Sequence, residues 1–135
     1  MSYEYAQTLL RRAEAFLEAS QNSYEKGYWD VACVEAEIAA QLALKALIAR
    51  MGLTPPQVTG IRRLVGLVAR LHPDIGEKLA SHAKSIRERV IVLERCWEMG
   101  QHSPEPADEE EAYIALEAAK DLVEFTKNLV ESLNH

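Results

Sequence analysis

Apolar residues recur every three or four positions along nearly the whole chain, and no segment keeps the strict alternation of a half-buried strand. The pattern predicts five helices. The first runs from about Tyr3 to Glu25, with Ala6, Leu9, Leu10, Ala13, Phe16, Leu17, Ser20 and Tyr24 on one stripe and Gly27 as its stop. The second runs from Trp29 or Asp30 to Met51, with Asp30 placed to cap its N-terminus. Its alanines at 32, 36, 39, 43 and 46 form a small-residue stripe that lets a neighbouring backbone approach. Its polar residues gather in one seam, Glu37, Gln41 and Lys45, so this helix is expected at the centre of the fold. The third, short, spans Gly60 to Leu71 and turns Ile61, Leu64, Val65, Val68 and Leu71 inward. The fourth spans Asp74 to Met99 as one helix, with Ile75, Leu79, Ala83, Ile86, Val90, Leu93 and Trp97 as its core stripe. The fifth spans Asp108 to Leu133 and opens on four acids that complement a positive helix N-terminus. Ala112, Leu116, Ala119, Val123, Val130 and Leu133 face in.

Pro55-Pro56 and Pro104/Pro106 hold the segments Gly52–Thr59 and Gly100–Ala107 out of helix. Long helices joined by short connections favour an all-α, up-and-down antiparallel bundle of four long helices and one short one, expected as a single domain over residues 1–135.

Composition narrows the functional classes. The chain is 48% apolar and 27% charged with a formal net charge of −6, an ordinary balance for a globular domain and a poor one for clinging to nucleic acid through bulk charge. The charge is unevenly spread: residues 38–73 carry five bases and no acid, and residues 101–135 carry nine acids and two bases. The basic stretch reads as a solvated helix face, with a local basic surface as the alternative. Two cysteines, Cys33 and Cys96, do not make a disulfide framework and lack zinc-site spacing, so a reducing cytoplasm is expected. The first residues show no targeting pattern, and the most apolar stretch, 31–51, is broken by Glu35, Glu37, Gln41 and Lys45, so no membrane span is expected.

Few residues stand out as chemistry. No Glu-x-x-His pair occurs, which removes a di-iron bundle, and the six glycines are too dispersed for a phosphate loop. A recognition-helix role for Arg62, Arg63 and Arg70 does not fit a helix-turn-helix layout. Glu35 reads as a carboxylate at a helix edge, His72 as a helix-end cap on exposed carbonyls, His82 as a satisfied core histidine, and His135 as a terminal residue. His102 differs, standing in the loop just past the fourth helix. Arg95 lies about 180° around that helix from Ile86, opposite the core stripe, among Ile91, Val92 and Met99. An apolar face around one arginine suggests a partner surface, and a symmetric homodimer serves it most simply. A surface salt bridge is the plainer alternative for Arg95.

The run from Tyr24 through Gly27-Tyr28-Trp29-Asp30 to Ala32, and the run Ala39-Ala40-Gln41-Leu42-Ala43-Leu44-Lys45-Ala46-Leu47-Ile48, resemble the HEPN family (higher eukaryotes and prokaryotes nucleotide-binding). Ala112 to Leu129 resembles that family's last helix. The resemblance implies a helical bundle, commonly dimeric, whose active members are metal-independent RNases with an Arg-x4–6-His motif at the end of the fourth helix. Arg95 and His102 meet its widest spacing. By that resemblance His102 is a general acid/base, Arg95 stabilises charge on the phosphate, and no metal or other cofactor is involved. The site is then composite, at a homodimer interface built from Ile91, Val92, Arg95 and Met99. RNA or a nucleotide is the implied ligand, and a minimal nucleotidyltransferase the implied partner of a toxin–antitoxin pair. Cys96 stands where the family has a polar residue after the arginine, which keeps open a non-catalytic nucleotide-binding or protein-interaction module. A helical scaffold that only oligomerises is the third reading.

Overall fold

The computed structural model describes residues 2–57 and 60–134, so Met1, Val58, Thr59 and His135, with what the sequence suggests for them, lie outside the described residues. The described residues form six α-helices and no strand: α1 (Ser2–Glu25), α2 (Trp29–Arg50), α3 (Ile61–Leu71), α4 (Pro73–Ser85), α5 (Arg87–Met99) and α6 (Glu109–Ser132).

α2 is the central helix, as its composition requires. It packs against α1 along most of its length and also touches α3, α5 and α6. All five stripe alanines are fully buried, and Leu44, Leu47 and Ile48 fill the core beside them. Small side chains let the helices close up, and the buried Ser20 hydroxyl then donates to the Ala32 carbonyl across the α1–α2 contact, 2.6 Å. Gly27 ends α1 in the left-handed region, at φ 81°, where a side chain would be strained.

The expected fourth helix is two. α4 and α5 meet at Ile86, whose backbone leaves helical geometry at φ −120°, ψ 27°. No proline or glycine marks the break. Ser85 Oγ donates to the His82 carbonyl at 2.6 Å, the acceptor that Ile86 N would use if the helix continued. Ile86 N donates instead to the Ala83 carbonyl, three residues back. The apolar stripe survives the break, with Ile75, Leu79, Ala83, Ile86, Val90 and Leu93 all buried. Its last member does not: Trp97 is 46% exposed. Trp97 keeps the phase of Leu93, but it lines a hollow beside α2 and α3 that stays open among the described residues. Leu71, at the end of α3, and Leu133, beyond α6, also stay partly open because their helices end at the rim of the core.

The two cysteines, expected to stay unpaired, are joined as Cys33–Cys96, with Cα atoms 5.0 Å apart. Each sits on the core-facing side of its helix, and the α2–α5 contact brings them together across 63 positions of sequence. Asp30 is not the N-cap of α2. Tyr28 holds that place without a side-chain hydrogen bond, and Asp30 Oδ1 accepts from Ala107 N. α6 begins with a full capping box, in which Asp108 accepts from Glu111 N and Glu111 accepts from Asp108 N. Among the described residues no helix is long and apolar enough to cross a membrane.

Candidate functional site

The turn after α5 is built by backbone chemistry. The Glu98 carbonyl accepts from the N–H groups of Gln101, His102 and Ser103, the shortest being His102 at 2.8 Å. Those bonds fold the chain back over the helix end and bring His102 beside Arg95. The segment is fastened to α2 at both ends. At its start, Gly100 lies so close to α2 that a Cβ would run into Val34 Cγ2 and the Asp30 carbonyl. At its end, Asp30 holds Ala107 N.

Arg95 and His102 therefore line one shallow groove of about 420 Å³, with Glu98, Met99, Ser103 and Pro104. Both side chains are exposed, and neither makes a side-chain hydrogen bond or ion pair among the described residues. The surface salt bridge considered for Arg95 is not formed. A free guanidinium offers planar paired donors to a phosphate, and a free imidazole can serve as a general acid or base. The apolar neighbours of Arg95 are half-covered by their own chain: Ile91, Val92 and Met99 are each partly buried, and Met99 packs against the core.

The other two described histidines, His82 and His72, are accounted for by structure. His82 is half-buried, stacks on Phe125 with ring centres 4.0 Å apart, and pairs through Nε2 with Asp121 at 3.0 Å. His72 caps the opposite group from the one expected: its Nδ1 accepts from Ile75 N at the start of α4, at 3.3 Å, because Pro73 turns the next helix straight out of it. Glu35 is a half-buried edge carboxylate that accepts from Ser23 Oγ at 2.6 Å.

A second, larger hollow escaped the reading of the sequence. About 570 Å³ opens between α2, the segment before α3, α3 itself and α5. The polar seam of α2 lines it: Glu37, Gln41 and Lys45, with Ile38 and Leu42 beside them and Gln57, Gly60, Arg63, Glu94 and Trp97 opposite. Glu37 is 2% exposed. Its Oε2 accepts from Gln41 Nε2 at 2.5 Å, and its Oε1 has no hydrogen-bond partner among the described residues. Burial pushes its carboxyl up to about 7, and Glu94 pushes the same way. The Gln41 bond and the Lys45 charge pull it back. Burial likewise lowers the Lys45 amine, against the pull of Glu37. Lys45 Nζ donates to the Gln57 carbonyl at 3.0 Å. Glu94 receives both Arg62 Nε, at 2.5 Å, and Arg62 N, at 3.3 Å, so it serves as the side-chain acceptor that the N-cap Gly60 lacks. The signal for this hollow was legible as three polar residues at four-residue spacing on an otherwise apolar central helix.

The comparisons with known proteins agree with this architecture. The chain is similar to TT1696 from Thermus thermophilus, a solved structure, with 26% identity and a TM-score of 0.69 over 91% of this chain and 96% of that one. No curated protein matches. The family model described as HEPN domain matches residues 6–129. That span takes in α2 to α5 whole and most of α1 and α6, and the chain belongs to the HEPN domain family.

Proposed function

We propose that this chain is a metal-independent endoribonuclease that cuts RNA in the groove of Arg95 and His102, on an up-and-down antiparallel bundle. The observation that carries the reading is that these two side chains line one groove with no partner of their own among the described residues. His102 takes the proton from a ribose 2′-hydroxyl, and the 2′-oxygen attacks the adjacent phosphorus. The new O2′–P bond forms as the P–O5′ bond breaks. Arg95 neutralises the charge that builds on the phosphoryl oxygens. The departing 5′-oxygen receives its proton from a second imidazolium, the same histidine of a second copy. Products are a 2′,3′-cyclic phosphate and a free 5′-hydroxyl. A homodimer through Ile91, Val92, Arg95 and Met99 supplies that second copy. The biological setting we propose is the toxin half of a toxin–antitoxin pair held in check by a small nucleotidyltransferase.

The test is incubation of the purified protein with RNA, with and without chelator. Cleavage that persists in chelator and falls roughly 100-fold or more in Arg95→Ala and in His102→Ala is the expected result. Unchanged cleavage in both variants overturns the assignment. The second reading, a non-catalytic HEPN module, draws on Cys96, which stands where the family has a polar residue and is tied to Cys33 in the core. In that case RNA survives at any protein concentration while a nucleotide or partner protein still binds.

A further inference from the structure

Three helix ends meet at one end of the bundle: the last turn of α1, the start of α2 and the start of α6. Each brings an aromatic ring to the same place. Tyr24 touches both Trp29 and Tyr113, with ring centres 5.2 and 6.1 Å away and the planes tilted. The cluster is no part of the core. Tyr113 is 51% exposed, and Tyr28, next to Trp29 in the chain, is 59% exposed. Val31, one turn further along α2, is exposed as well. Contiguous aromatic surface left open to water marks an interaction face. These rings already hold one another, so docking against them costs little side-chain ordering.

The charge around the rings selects the partner. Residues 101–117 carry six carboxylates and no lysine or arginine, while Glu25 and Lys26 in the α1–α2 turn offset each other. The carboxylates reach the rings themselves: burial raises the Tyr24 phenol above its ordinary value, and Glu109, Tyr113 and Glu117 push the same way. Glu110 is exposed beside Glu109. A two-fold contact of this face with itself would set these carboxylates against their own copies, and a nucleic acid would bring phosphates to them. A guanidinium suits both parts of the surface, because its plane stacks on an aromatic ring and its edge pairs with a carboxylate. We propose that the face of Tyr24, Trp29, Tyr113 and Glu109 docks an arginine-rich segment of a partner protein. None of these residues lines the Arg95–His102 groove, so the proposal does not rest on the nuclease reading.

The probe is a dodecapeptide that repeats arginine-alanine-leucine-arginine three times and is blocked at both ends. Binding is read by calorimetry and by the fluorescence of Trp29 in a Trp97→Phe background, which leaves Trp29 as the sole indole. We expect saturable binding that changes Trp29 emission and weakens severalfold between roughly 0.05 and 0.3 M salt. The same peptide with lysine for arginine binds about threefold or more weaker, because an ammonium has no plane to stack. Tyr113→Ala, and separately the pair Glu109→Gln/Glu110→Gln, each weaken binding about fivefold or more; all three positions are exposed, so the bundle tolerates the changes. Tyr5→Ala, an exposed tyrosine roughly 28 Å along α1 from Tyr24, leaves binding unchanged. Absence of saturable binding up to about 1 mM overturns the proposal. So does equal affinity in Tyr113→Ala and in the double glutamine variant, or equal affinity for a peptide with glutamate in place of arginine. Self-association or single-stranded RNA binding that is lost in Tyr113→Ala assigns the face to a second copy or to nucleic acid, and overturns it too.

Discussion

Replacing Glu37 with Gln isolates the free energy of keeping one carboxylate out of water. Glu37 is 2% exposed, and burial raises its carboxyl from 4.5 to about 7. Between those values the folded chain holds a proton that the unfolded chain has released, so stability falls as pH rises through that window. Below about pH 4 the group is neutral in both states and contributes nothing to the pH dependence. Above about pH 7 the folded state carries the full penalty, about 3 kcal/mol, because each tenfold change in proton affinity is worth about 1.36 kcal/mol. Gln has the same length and can still bond Gln41, but it has no charge to bury. The missing partner at Oε1 is common to both side chains and cancels to first order. Urea unfolding of the two proteins, side by side, gives the difference directly. Glu37→Gln should match the parent near pH 4 and exceed it by about 3 kcal/mol near pH 8, with the gain appearing mostly between about pH 5 and 7. A difference that stays the same across the range would refute the argument, because only a titrating group can make it pH-dependent. Lys45 sets the sign of a control: removing its charge leaves Glu37 less compensated and should steepen the parent's loss.

Other perturbations address the frame. Breaking the Cys33–Cys96 link by Cys33→Ala/Cys96→Ala frees a loop of 63 positions in the unfolded chain, and the chain-entropy model puts the loss at about 4 kcal/mol, checked by denaturant titration of oxidised parent and variant. Gly100→Ala forces a Cβ into Val34 and the Asp30 carbonyl, with a cost of about 1–3 kcal/mol in thermal unfolding, and on the proposed nuclease reading the displaced His102 lowers RNA cleavage further than the stability loss accounts for. Ser20→Ala leaves the Ala32 carbonyl without its side-chain donor inside the α1–α2 contact and should cost about 1 kcal/mol in the same assay.

Periodicity made most of the architecture legible. The alanine stripe of α2 announced a central helix, and every member of that stripe is buried. Glycine at 27 and the prolines fixed the ends of α1 and the limits of the loops because they act locally. The break at Ile86 was hidden, since a serine hydroxyl replacing one backbone donor leaves no mark in hydropathy. The cysteine pair was hidden for another reason: a lone contact across 63 positions depends on how two helices meet. Asp30 was read as a cap because that is the local role of an aspartate near a helix start, but tertiary structure gave it Ala107 N instead. At the candidate site, helical phase placed Arg95 on the outer face. Its place beside His102 depends on the turn around the Glu98 carbonyl, which no side-chain pattern encodes. The polar seam of α2 was plain in the sequence, but a seam can face water or line a hollow, and only the packing of α3 and α5 decides between them.

The fastening of the His102 segment to the start of α2 limits how the proposed Arg95–His102 site could be moved to another scaffold. A transplant of the arginine helix and its following turn would carry both side chains of the proposed site but leave behind Asp30 and Val34, far earlier in the chain, which hold the ends of that turn. The unit to graft is two helices, and a donor fragment cut at the start of α5 would arrive with its imidazole unmoored.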